Sequence, residues 1–97
     1  MLIEMAVAAV MDDAVSDDCI WNGIPLHGEV QVVESFADID VQIVTSFPDL
    51  NVQVVESFPD DCGEWEFVES FPDFTIRFVT SFPDIKIKYV TSFPGVD

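Results

Sequence analysis

Asp40-Val-Gln-Ile-Val-Thr-Ser-Phe-Pro-Asp49 runs directly into Leu50-Asn-Val-Gln-Val-Val-Glu-Ser-Phe-Pro-Asp60, and these two stretches decide the fold. Each joins an alternating apolar–polar run to the same corner, Val-x-Ser-Phe-Pro-Asp. Ser-Phe-Pro-Asp recurs at Ser70 and Ser81, with Ser-Phe-Ala-Asp at Ser35 and Ser-Phe-Pro-Gly at Ser92. The corner phenylalanines are Phe36, Phe47, Phe58, Phe71, Phe82 and Phe93, spaced by eleven residues except for a thirteen-residue step between Phe58 and Phe71. The longer unit carries its insertion near Asp61-Cys62. Six units run from about Gly28 to Asp97, and self-similarity at a fixed short period marks a repeat architecture.

The runs IDVQI, LNVQV, FTIRF and IKIKY place β-branched or aromatic residues at alternate positions, which is strand chemistry. Pro fixes φ and Asp bonds nearby backbone, so each Pro-Asp reads as a turn. Identical letters are rewarded where identical residues stack, and alternate strands of an antiparallel meander do not stack them. The fold expected is therefore all-β: a short parallel β-solenoid of six eleven-residue coils, with the antiparallel meander as the alternative. Eleven residues at ~3.3 Å give a coil perimeter near ~36 Å, too tight for an internal ligand cavity.

Residues 1–19, rich in Ala, Leu, Met and Glu, read as a helix, and Trp21 to Gly28 as a connection with turns at Asn22-Gly23 and Pro25. Residues 1–27 are expected to form a helical cap on the solenoid of residues 28–97, in one domain. The apolar N-terminal run is shorter than the ~20 residues that span a bilayer. Without a basic residue before it, and with Glu4 inside it, the run is a poor signal peptide. A cytoplasmic location is expected, with Cys19 and Cys62 either paired or free, free thiols being the expectation in a reducing compartment.

Nineteen acidic residues against three basic ones give a formal charge of −16. That excludes recognition of nucleic-acid phosphates and of anionic membranes, both of which need basic patches. A basic protein partner is compatible with it.

Strict alternation sets Phe on the side of the polar residue two before it, with Val and Ser inside. Six outward phenylalanines would form an apolar ladder, a candidate interface for a homo-oligomer. A break of parity at Pro would instead put them in the core. The three basic residues, Arg77, Lys86 and Lys88, fall in the last two units. Lys86 and Lys88 can meet Glu29 and Asp40 of a second copy in a two-fold dimer. The simpler expectation is pairing of Arg77 with Glu66 across neighbouring coils. An uncapped last coil, ending at Val96, would offer a strand edge to another molecule.

No chemistry stands out. His27 is the sole histidine and lies in a turn, which disfavours a nucleophilic triad. Cys19, His27, Asp61 and Cys62 match no zinc spacing. The corner aspartates Asp38, Asp49, Asp60, Asp73 and Asp84 read as turn caps rather than a calcium ladder, since no Gly-rich ligand loop accompanies them. The Thr-Ser pairs at Thr45, Thr80 and Thr91 are interrupted by Glu in the other units, which weakens an ice-binding face. No cofactor, metal or catalytic residue is expected.

Val44-Thr-Ser-Phe-Pro-Asp49 with its copies, and the longer unit Asp60 to Val68 with its Asp, Gly and Trp, resemble an uncharacterised family of small bacterial proteins built from short Ser-corner β repeats. The resemblance covers residues 28–97 and implies no activity. The residues thus point to a non-enzymatic, self-associating assembly protein, with an acidic binding module or inhibitor of a basic protein as the alternative.

Overall fold

The computed structural model describes residues 14–96. A two-stranded hairpin, β1 (Ile20–Trp21) and β2 (Ile24–Pro25), precedes six strands. These are β3 (Gly28–Val32), β4 (Ile39–Ile43), β5 (Leu50–Val54), β6 (Glu64–Phe67), β7 (Phe74–Phe78) and β8 (Ile85–Tyr89). Alternation works as the sequence suggests. The third-position residues Val30, Val41, Val52, Trp65, Ile76 and Ile87 are wholly buried, while second- and fourth-position side chains face out. Fully burying an aliphatic side chain of this size contributes roughly 1.5–3 kcal/mol.

The expected solenoid and the alternative meander are both corrected. The six strands are all parallel and close into a barrel in the order β3-β6-β5-β8-β4-β7, the last pairing with the first. Of the consecutive strands only β5 and β6 lie side by side. From β3 the chain steps over β7 to reach β4, and over β8 to reach β5. The thirteen-residue unit alone moves to the adjacent place, β6, so that β6, β7 and β8 interleave with the first three strands. A third two-place step, from β5, would return the chain to the place of β3. The insertion is what turns two half-filled rings into one full ring.

Six crossings reproduce the same local surroundings six times, and this is why the corner is spelled alike. The N–H groups of Val33, Val44, Val55, Val68, Val79 and Val90 donate to the carbonyls of Ile76, Ile87, Trp65, Val30, Val41 and Val52. Every strand of the barrel is thereby engaged once, at its third position. Outward Gln31 and Gln42 donate to the carbonyls of Glu69 and Thr80 in the connections that pass over β3 and β4. Each connection therefore lies on the outside of the strand it crosses.

The helical cap is corrected as well. Among the described residues there is no helix: 14–19 form turns, with Cys19 N–H donating to the Ser16 carbonyl, and the rest of the expected helix lies outside the described residues. The hairpin closes the end of the barrel where the strands begin. Its two-residue turn, Asn22-Gly23, has φ of 50° and 84°, the left-handed pair that Asn-Gly favours. Leu26 is wholly buried beneath it, and its carbonyl accepts the Trp65 indole N–H at 3.2 Å. Contrary to the free thiols expected, Cys19 and Cys62 form a disulfide that ties this lid to the inserted residues. They stand 43 positions apart. Replacing both by Ser is expected to cost about 2–4 kcal/mol in chemical denaturation, because the unfolded chain regains a long loop.

The last described residues are fastened rather than left as an open edge. Gly95 exchanges both backbone hydrogen bonds with Asn51, and Val96 packs partly buried against the core. Gly63 makes room for this tail. At φ 83°, a methyl group there would collide with the Asn51 carbonyl oxygen and lie 2.7 Å from Gly95 N. Gly63→Ala is expected to lower stability by about 2–5 kcal/mol, from left-handed strain and overpacking together. Thermal unfolding followed by circular dichroism measures it.

Candidate functional site

The corner must reverse the chain within a few residues, and it does so by placing one residue in the left-handed region. That residue is phenylalanine at all six corners, with φ between 53° and 57°. Left-handed backbone costs an L-residue with a β-carbon about 1–2 kcal/mol, and Gly, Asn or Asp would relieve it. At five corners Pro follows, which restricts the preceding residue further. The phenyl ring does not recover this cost by burial. Exposure runs from 80% at Phe58 to 100% at Phe36. Strain held at repeated exposed positions is a mark of function.

The phenylalanines form a belt, not the stacked ladder expected from sequence. Consecutive corners sit over strands that are not neighbours. Among the described residues the ring contacts are those of Trp65 with Phe67 and Phe74, so the corner rings stand apart. In ring order the rings stand over β3 (Phe71), β6 (Phe58), β5 (Phe93), β8 (Phe47), β4 (Phe82) and β7 (Phe36).

A second apolar surface lies where the strands end. Fifth-position residues share the parity of the core, yet Val32, Ile43, Val54, Phe67, Phe78 and Tyr89 remain partly exposed. Burial of Tyr89 at this rim raises its phenol above the usual value. A shallow groove between Val32, Phe67 and Val68 is flanked by Gln31 and Glu69.

The corner aspartates cap backbone, across strands rather than within their own turns. Asp38, Asp49, Asp73 and Asp84 accept from the N–H groups of Thr75, Lys86, Glu29 and Asp40 at 2.7–2.9 Å. In the longer unit Glu64 takes over, its Oε1 accepting from the Asp60 and Asp61 N–H groups. The disulfide uses both cysteines of the set considered for a metal. His27 Nδ1 donates to the Pro59 carbonyl at 3.2 Å, beside a cleft shared with Ile24, Pro25, Asp73 and Phe74.

Lys86 and Lys88 are exposed on β8. Arg77 does not pair with Glu66 as expected, because β7 lies between β3 and β4, not beside β6. It makes a two-pronged contact with Asp40, at 3.0 and 2.9 Å, which holds the guanidinium above its ordinary pKa. The third expected contact residue, Val96, faces the core. No linear signal could have exposed these neighbourhoods, since hydrogen-bonded partners lie 37 or 44 residues apart.

Among the described residues no helix is long and apolar enough to cross a membrane. A family model described as the 7(1) septoil knot domain matches residues 23–97. A search of curated proteins finds no match.

Proposed function

The chain belongs to the septoil knot domain family, and we propose from that premise that it is a non-enzymatic assembly protein that self-associates through its phenylalanine belt. The family description names a path of the chain and no reaction. The observation that carries the reading is the exposure of six phenyl rings on left-handed backbone that asparagine or glycine would occupy at lower cost. A surface that holds so many large apolar groups in water against its own stability is built to have them covered. With a closed barrel, the open strand edge considered from the sequence has no place in this reading.

A second reading has its own support. Glu34, Glu56 and Glu69 each stand two residues before a corner phenylalanine, so these corners suit an apolar pocket bordered by basic side chains on another protein. The Cys19–Cys62 bond supports an oxidising compartment instead of the cytoplasm expected from sequence.

Absolute mass by light scattering, at low and high salt, tests the proposal. Contact through phenyl rings persists or strengthens in high salt, because salt screens the repulsion between copies carrying −16 each. A monomer at both salts sinks it and leaves the acidic binding module.

A further inference from the structure

Resting on the self-association reading above, the order of strands around the barrel gives the contact a direction. We infer that the half-belt over β5, β8 and β4 docks on the opposite half-belt, over β7, β3 and β6, of a second copy, head to tail.

Chain order mixes the six corners, and ring order sorts them. Over β5, β8 and β4 stand Phe93, Phe47 and Phe82, each preceded by a threonine: Thr91, Thr45 and Thr80. Over β7, β3 and β6 stand Phe36, Phe71 and Phe58, each preceded by a glutamate: Glu34, Glu69 and Glu56. The outward strand residues follow the same division. β8 contributes Lys86 and Lys88, β5 contributes neutral Asn51 and Gln53, and the Asp40 carboxylate of β4 is matched by Arg77. Asp49 and Asp84, on the same side, accept from the backbone N–H groups of Lys86 and Asp40. The opposite side carries Glu29 on β3, Glu64 and Glu66 on β6, and Arg77 on β7, whose charge is taken up by Asp40.

Both halves thus present three phenyl rings in the same frame: one carries both lysines, with its aspartates engaged by backbone N–H groups or Arg77, and the other carries the exposed glutamates. Two glutamate halves in contact would set carboxylates against carboxylates around the rings. Two lysine halves would set Lys86 and Lys88 against their own copies. Only unlike halves bring ammonium groups to carboxylates while the rings interdigitate, and like-charge juxtaposition is what suppresses the wrong pairing. The two halves lie on opposite sides of one barrel. The contact is therefore heterologous, and it propagates into a ring or an open row instead of closing as a two-fold dimer.

Two charge-reversed chains test this by sedimentation equilibrium, with folding checked by circular dichroism. Lys86→Glu/Lys88→Glu makes the lysine half acidic. Glu66→Lys/Glu69→Lys makes part of the glutamate half basic and spares Glu64, which serves the Asp60 turn. Each variant alone is expected to associate at least about tenfold more weakly than wild type. An equimolar mixture is expected to recover association, because each reversed half finds its complement on the other variant. Undiminished association of the Glu66→Lys/Glu69→Lys chain, or a mixture no better than its components, overturns the head-to-tail arrangement. A wild-type chain that stays monomeric at every concentration removes the self-association reading itself, and does so before any variant is made.

Discussion

Replacing all six corner phenylalanines by asparagine is expected to make the isolated barrel more stable. Each substitution puts a residue that tolerates left-handed backbone at φ near 55° in place of one that does not. The gain is about 1–2 kcal/mol per corner. The corners stand over different strands and their rings do not touch, so the gains add, to about 6 kcal/mol or more. Against a typical total of about 5–15 kcal/mol that is a large change. Denaturant unfolding at a concentration where wild type is monomeric measures it. The same variant should lose association altogether. Six stabilising exchanges that together abolish assembly would show that phenylalanine stands at these corners for contact, not for folding. An unchanged or lowered stability would mean that the left-handed corner carries no strain for Phe to bear.

The second large effect concerns the ring. Ending the chain at Asp84 removes β8, which is hydrogen-bonded to both β4 and β5. In a solenoid, the last coil could be cut away and the rest would stand. In this barrel the cut leaves two long unpaired edges and also removes the tail that bridges Asn51. The whole barrel is expected to unfold, with loss of dispersed amide resonances and exposure of Trp65. A truncated chain that keeps a folded core would contradict the closed ring. The same topology makes folding slow, because only β5 and β6 pair locally and the other five barrel pairs join residues 37 or 44 apart.

The strands were legible because alternation reports parity: IDVQI and FTIRF each declare which side chains go inward. Parity left the phenylalanines open between core and surface, because it holds on extended backbone and the corner departs from it at φ near 55°. Repetition demands equivalent surroundings, but the stack of coils expected from it is not how this chain supplies them. What repetition does not say is whether equivalence comes from stacking along an axis or from rotation around a ring. Strands eleven residues apart would all be neighbours in a stack, whereas here every neighbouring pair but β5–β6 joins residues 37 or 44 apart. The evidence for the ring sat in the insertion at Asp61-Cys62, but its meaning depends on how many places the ring has. Asn22-Gly23 announced a turn on its own chemistry, though not the two short strands that flank it. The disulfide had no such local sign, since its partners meet only when the lid reaches the inserted residues. Charge segregation was hidden for the same reason as the Arg77–Asp40 pair: along the chain, threonine and glutamate corners alternate irregularly, and only the order of strands separates them.

The belt is tested most directly by following backbone amide resonances through a dilution series of the wild-type chain. Shifts on dilution are expected at Phe36, Phe47, Phe58, Phe71, Phe82 and Phe93 and their neighbours, with the amides of Val30, Val41 and Ile76 in the core unmoved. Resonances that do not move across the series, or that move at the rim of Val32 and Ile43 while the corners stay fixed, would contradict the assignment of the phenylalanine belt as the contact surface.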